Sequence, residues 1–239
     1  MTTMSLFLLT LPIKMVKLMY DNSVIGGGIL PKDTFTRLNE KKQTRIFEAA
    51  LNEFSIRNFN ESKLSNIIKE AMIPRGSFYQ YFENKLDLYK YVFDRLGRIK
   101  LEYMKDLIHN PDEIPFLDLM RELYMIGLKY ALDNPKAVKM VMYLYSSRDL
   151  IFDEIMGKGL EQAKQFYIGY IESDKLLGRV NQDIDAEVFA EMMMNIINSI
   201  SFEEFRIGNE NINYDNMLEK FDKKIFILEK GILTGGKNV

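Results

Sequence analysis

The 239-residue chain is 47% hydrophobic and 28% charged, a globular composition and not that of a disordered segment. It has no cysteine and a single histidine, which excludes disulfides, thiolate metal sites and cysteine nucleophiles; no metal or cofactor is expected. The net charge of −2 argues against a uniformly basic nucleic-acid binder but hides an asymmetry: residues 31–85 carry +3 and residues 1–30 carry +1, leaving −6 on residues 86–239.

In chain order, the first segment is a leader over 1–30. Its apolar run from Ser5 to Ile13 is too short to span a bilayer, has no preceding positive charge and has no small-residue cleavage site after it. A cytoplasmic location is therefore expected. Gly26-Gly27-Gly28 followed by Leu30 suggests a purine-rich ribosome-binding site and a TTG start codon read in frame. The expectation is that residues 1–29 are not part of the natural protein. The competing reading is an N-terminal arm laid in a DNA minor groove, with Lys14 and Lys17 on phosphates.

Helical periodicity begins at Asn39, a predicted N-cap, with Ile46, Ala50 and Phe54 on one face. Asn58 is expected to stop this helix in the left-handed conformation. Ser62 is the expected cap of a short second helix carrying Leu64, Ile67, Ile68 and Ala71. Met72-Ile73 turns the chain, and Pro74 starts a third short helix from Arg75 to about Phe82. Asn84 is expected to cap a long fourth helix with the stripe Tyr89, Val92, Phe93, Leu96, Ile99, Tyr103, Leu107. His109, before Asn110-Pro111, reads as a residue of that helix's C-terminus, where a cation is favoured, and not as a catalytic base. Further helices are predicted near 115–132, 135–145, 148–176, 185–207 and 214–232. No stretch alternates with period two, so the expected class is all-α with about nine helices.

Two short helices joined by a four-residue turn form the geometry that places a helix in the DNA major groove. The string Ile73-Pro74-Arg75-Gly76-Ser77-Phe78-Tyr79-Gln80-Tyr81-Phe82-Glu83-Asn84-Lys85 closely resembles the recognition helix of the TetR/AcrR family of transcriptional regulators. Ile46 to Phe54 resembles that family's first helix, and the resemblance covers about 40–90. It implies a helix-turn-helix domain over 31–87 and a helical ligand-binding and dimerisation domain over 88–239. The implied partners are double-stranded DNA with an inverted-repeat operator, a small-molecule effector and a second copy of the chain, with no membrane.

Within the motif, Phe78 and Phe82 lie four apart and are expected to anchor the helix, with Leu86 continuing that face. Arg75 suits a guanine edge, and Gly76 lets the backbone approach DNA. Ser77, Tyr79 and Tyr81 offer hydroxyls to phosphates, and Gln80 suits an adenine or a phosphate. Ser62, Lys63 and Lys85 complete the expected DNA-binding set, Lys85 as a cation for a phosphate. The bland reading of Tyr79 and Tyr81 is surface packing without DNA. The sequence departs from the family at Met72, where a glycine is usual, and at Ile68, where a small residue is usual.

The segment Gly178 to Asp185 resembles the family's lead into its penultimate helix. That helix is apolar around most of its circumference, with only Glu191, Asn195 and Asn198 as a polar stripe, so it must bury two faces. Phe189, Met192, Ile196, Ile200, Phe221 and Ile225 are the expected dimer interface. Met and aromatic residues crowd the middle helices, and Tyr103, Tyr124, Tyr143, Phe166, Tyr170 and Met193 are the expected ligand-binding set, suited to a large apolar effector. Core packing is the competing reading of such stripes. Gly157, Gly159 and Gly169 are expected to weaken one helix locally.

An enzyme is not expected, since there is no phosphate loop and Gly157-Lys158-Gly159 lacks the Walker spacing. The alternative reading is a dimeric helical ligand-binding protein without DNA binding.

Overall fold

The computed structural model describes residues 31–104, 114–147, 150–206, 209 and 211–230. The leader, His109 and Gly208 lie outside the described residues. Among them are eleven α-helices and no strand: α1 (Asp33–Thr36), α2 (Glu40–Ile56), α3 (Leu64–Glu70), α4 (Arg75–Tyr81), α5 (Lys85–Met104), α6 (Phe116–Asp133), α7 (Pro135–Ser147), α8 (Leu150–Phe152), α9 (Lys158–Leu176), α10 (Ala186–Phe205) and α11 (Tyr214–Lys230). A π-helical turn, Asp153–Gly157, joins α8 to α9. The helix expected near 148–176 is thus broken next to its glycines, where the chain takes a wider turn.

Helix starts follow side-chain chemistry. Asn39 caps α2 by accepting from the Lys42 N–H at 2.9 Å, and Asn84 accepts from the Asp87 N–H at 3.0 Å at the head of α5. Asp185 caps α10 through the Glu187 and Val188 N–H groups. Two expectations are corrected. Asn58 does not end α2 in the left-handed conformation; the helix closes at Ile56 with Arg57 extended, and the Asn58 side chain instead accepts from the Glu61 N–H. Ser62 does not cap α3, because it is buried and its hydroxyl donates to the Phe59 carbonyl at 2.7 Å. No side chain caps α3; Glu53 of α2 braces its head instead, its carboxylate accepting from the N–H of Lys63, the residue before the helix, at 2.8 Å and from the Asn66 side-chain amide.

One buried cluster runs through the whole body, from Phe35 and Ile46 to Phe221 and Ile225. α2 packs on α3, α5 and α7; α9 on α10; α10 on α11; and α11 on α6. Gly178 has φ +70 and closes α9, with its N–H donating to the Lys175 carbonyl.

Met72 alone among the described non-glycine residues has positive φ, +50, and is 70% exposed. Its side chain therefore buries little to offset the left-handed strain. Met72→Gly is expected to raise stability by about 0.5–1 kcal/mol, the strain relieved less glycine's extra chain entropy. A urea midpoint that does not rise would show that the turn is unstrained.

Candidate nucleic-acid interface

α3 and α4 are joined by Ala71–Pro74, the expected four-residue turn. α4 is held from both ends. Phe78 and Phe82 are buried with ring centroids 5.6 Å apart, and Phe35 of α1 packs on Phe82 at 5.0 Å. The last-turn carbonyls of α4 are each met by α1 and the residue before it. The Lys32 N–H donates to the Tyr81 carbonyl at 3.0 Å, the Lys32 ammonium to the Tyr79 carbonyl at 3.1 Å, and the Thr34 hydroxyl to the Gln80 carbonyl. α1 was not anticipated, because four residues are too few to show a period; Lys32 and Thr34 are the positioning residues that sequence reasoning missed.

Arg75, Gly76, Tyr79 and Gln80 are exposed on the outer face of α4, with Ser77 half-buried among them, and Lys63 is exposed at the head of α3. Gly76 has no internal reason to be glycine: its φ is not positive, and a Cβ there would meet nothing within 4 Å. Tyr81 is placed elsewhere than expected. It is buried, its ring meets Phe35 edge-on, and its hydroxyl accepts from the Lys42 ammonium at 3.0 Å. At helical spacing Tyr81 falls three residues from buried Phe78, so it turns inward, whereas Tyr79 turns out.

Lys85 is likewise not a free cation. Its ammonium donates to the Phe59 and Ser62 carbonyls at 2.5 and 2.9 Å and lies 4.4 Å from the centre of the Phe59 ring. Burial pulls it below the usual lysine range, opposed by the charge of Glu53. Lys85 fastens the α2–α3 loop to the head of α5, a structural role.

Residues 46–92, from the middle of α2 to the first turns of α5, match the family profile described as bacterial regulatory proteins, tetR family. The chain carries the N-terminal domain of the TetR family. An uncharacterised helix-turn-helix transcriptional regulator of Bacillus subtilis, YvdT, is 26% identical over 84% of this chain and 97% of its own length. The probable acrEF/envCD operon repressor of Escherichia coli is 25% identical over 52% of this chain and 56% of its own. Among solved structures, the regulator FadR of Bacillus subtilis in complex with stearoyl-CoA shares the fold at TM-score 0.64 and 16% identity, over 80% of this chain and 99% of that one.

In the helical body that follows this TetR-type domain, the expected ligand residues are dispersed. Met193 and Tyr124 are fully buried, Tyr124 stacked on Phe221 at 4.2 Å. Tyr170 donates to the Ile114 carbonyl with Phe166 beside it, and Tyr103 donates to Asp133 at 3.0 Å. Only Tyr143 borders the described cavity, a space of about 500 Å³ between the end of α2, α7 and the α10–α11 connection, lined also by Ile56, Met142, Phe205 and Ile212. Sequence reasoning missed Lys100 and Ser201 and did not foresee that Tyr124 and Asn198 are buried without hydrogen-bond partners. Lys100 of α5, Tyr124 of α6, and Asn198 and Ser201 of α10 each bury a side-chain polar atom with no hydrogen-bond partner. Burial pushes the Tyr124 phenol above its usual range, with the Ser201 hydroxyl beside it.

The dimer assignment also needs correction. Ile200, Phe221 and Ile225 lie in the protomer's own core, and Phe189 and Ile196 are half-buried. The outward apolar face is Val188 and Met192 of α10 with Phe226 and Ile227 of α11, Val188 and Phe226 being 61% and 58% exposed. Among the described residues no helix is long and apolar enough to cross a membrane, and no group of acidic and histidine side chains is arranged for a metal.

Proposed function

We propose that the chain is a sequence-specific DNA-binding regulator that works in the cytoplasm as a homodimer on an inverted-repeat operator, as a repressor released by a small, largely apolar effector. The observation that carries this reading is the outer face of α4. Arg75, Gly76, Tyr79 and Gln80 are all exposed on a helix braced from behind, and the bare backbone at Gly76 serves nothing inside the fold. Residues 31–87 form the reading head and 88–239 the sensing and dimerising body, with α5 crossing the boundary.

The test is a selection from random duplexes with the purified protein. The expected result is an inverted repeat with half-site centres roughly 34–36 Å apart, and no preference over bulk DNA would leave only a ligand-binding helical protein. Arg75→Ala is expected to cost about 1–3 kcal/mol and to relax base preference at one position in each half-site. A uniform loss across all sequences would assign Arg75 to a phosphate instead.

Release is read as movement of α5, which follows α4 after a link of three residues. Two ties link the body to the head and to the helix that leaves it: Tyr143 of α7 donates to the Ile56 carbonyl at 3.3 Å, and Lys90 of α5 pairs with Glu154 in the π-helical turn. The stearoyl-CoA complex of the Bacillus subtilis neighbour supports a long apolar ligand in this fold. To swing the population from 1:99 to 99:1 an effector must prefer one state by about 5.5 kcal/mol, and operator and effector must weaken each other reciprocally.

A further inference from the structure

The protein satisfies its buried carboxylates fully. Glu53 accepts from the Lys63 N–H, the Asn66 amide and Arg57. Asp174 accepts from the Phe116 N–H at 2.7 Å and from Arg179 at 3.2 Å, capping α6 from α9. Lys100 stands against this pattern. It is the one lysine or arginine among the described residues that is buried, at 3% exposure, and its amine nitrogen has no hydrogen-bond partner. Burial pulls it well below the usual lysine range, so the charged form is held only where an anion meets it, and a structural role would show a partner.

Its position is specific. Lys100 continues the buried stripe Tyr89, Phe93, Leu96 of α5 and precedes Met104. It lies between two ties to α6, the Tyr130 hydroxyl donating to the Leu96 carbonyl and the Tyr103 ring edge-on to Tyr130 at 5.5 Å. The helix that carries it is the one that leaves the recognition helix.

We propose that Lys100 is the anchor for an effector with a single carboxylate on an apolar body. A carboxylate restores the ammonium by pairing with it, whereas an uncharged carbonyl gains only a hydrogen bond. A phosphate would bring a second negative charge with no second buried cation to meet it. The apolar stripe on either side of Lys100 dictates the rest of the molecule. This inference deepens the proposed release by an effector and rests on it for its biological meaning, though not for its binding chemistry.

The test compares dodecanoate with dodecan-1-ol, each below its micelle-forming concentration, by calorimetry on the full chain and on Lys100→Met. The wild type is expected to bind dodecanoate at least ~10-fold more tightly than the alcohol, a difference of about 1.4 kcal/mol, and Lys100→Met is expected to lose that preference. The variant should melt no lower than the wild type, since methionine fills the same space without an unpaired amine. Equal or absent binding of the two probes, a preference that survives in Lys100→Met, or a variant that melts markedly lower would each overturn the proposal. A Lys100-dependent preference that leaves operator affinity unchanged would uphold the anchor and overturn the release mechanism instead.

Discussion

Replacing Glu53 with alanine is expected to destabilise the DNA-binding head by roughly 2–4 kcal/mol, because it removes one carboxylate from several donors at once. Glu53 is buried on α2, and its two oxygens take the Lys63 N–H, the Asn66 amide and the Arg57 guanidinium at 2.8 to 3.2 Å. It braces the head of α3 from another helix and so fixes the angle at which α3 leaves α2. Alanine would leave the N–H of Lys63, the residue before α3, and the Asn66 side-chain amide without this partner. Glu53→Gln retains an acceptor and is expected to lose about half as much. Urea denaturation gives the magnitude, and hydrogen exchange at Lys63 and Asn66 gives the location. A loss below about 1 kcal/mol, the size of an ordinary exposed cap, would show that Glu53 is dispensable. Operator affinity should fall with it, since α4 is packed on the helix that Glu53 positions.

The second large effect is expected at the outer face of α10 and α11. The double variant Val188→Glu with Phe226→Glu places two carboxylates on the exposed apolar surface formed by Val188, Met192, Phe226 and Ile227. Two such faces brought together by a two-fold axis would set those charges against one another and against apolar surface. Sedimentation is expected to show a dimer for the wild type and a monomer for the variant. Operator affinity should drop by about 10²–10⁴-fold, because the second half-site loses its tethered partner. Far-ultraviolet dichroism should be unchanged, since both positions point out of the protomer. A double variant that remains dimeric would move the interface elsewhere. Phe221 and Ile225 are unsuited to this test, because charges there would enter the protomer's own core.

The amino-acid sequence by itself determined the helical class, the position of nearly every helix and the four-residue turn; of the residues it offered on α4, Arg75, Gly76, Tyr79 and Gln80 are exposed, while Tyr81 is not. These follow from local signals: caps at Asn39, Asn84 and Asp185, prolines at helix heads, and side chains recurring at helical spacing. The strained Met72 was legible too, from the turn it must make.

What only the tertiary structure decided are the partnerships between residues distant along the chain. Lys32 and Thr34 hold the end of α4 across more than forty residues, and Glu53, not Ser62, fixes the head of α3. Lys85 turned inward to the Phe59 and Ser62 carbonyls, although its place in the motif suggested a phosphate. On α10 the apolar circumference announced two buried faces, and neither there nor on α11 did the sequence say which side meets the protomer's own core. That choice depends on where α6 presents Tyr124, which stacks on Phe221 and leaves Phe226 outside. Lys100 carries the same lesson. On a stripe of apolar residues a lysine reads as a stem that reaches solvent, and only the closed packing of α5 in the body shows that this one does not.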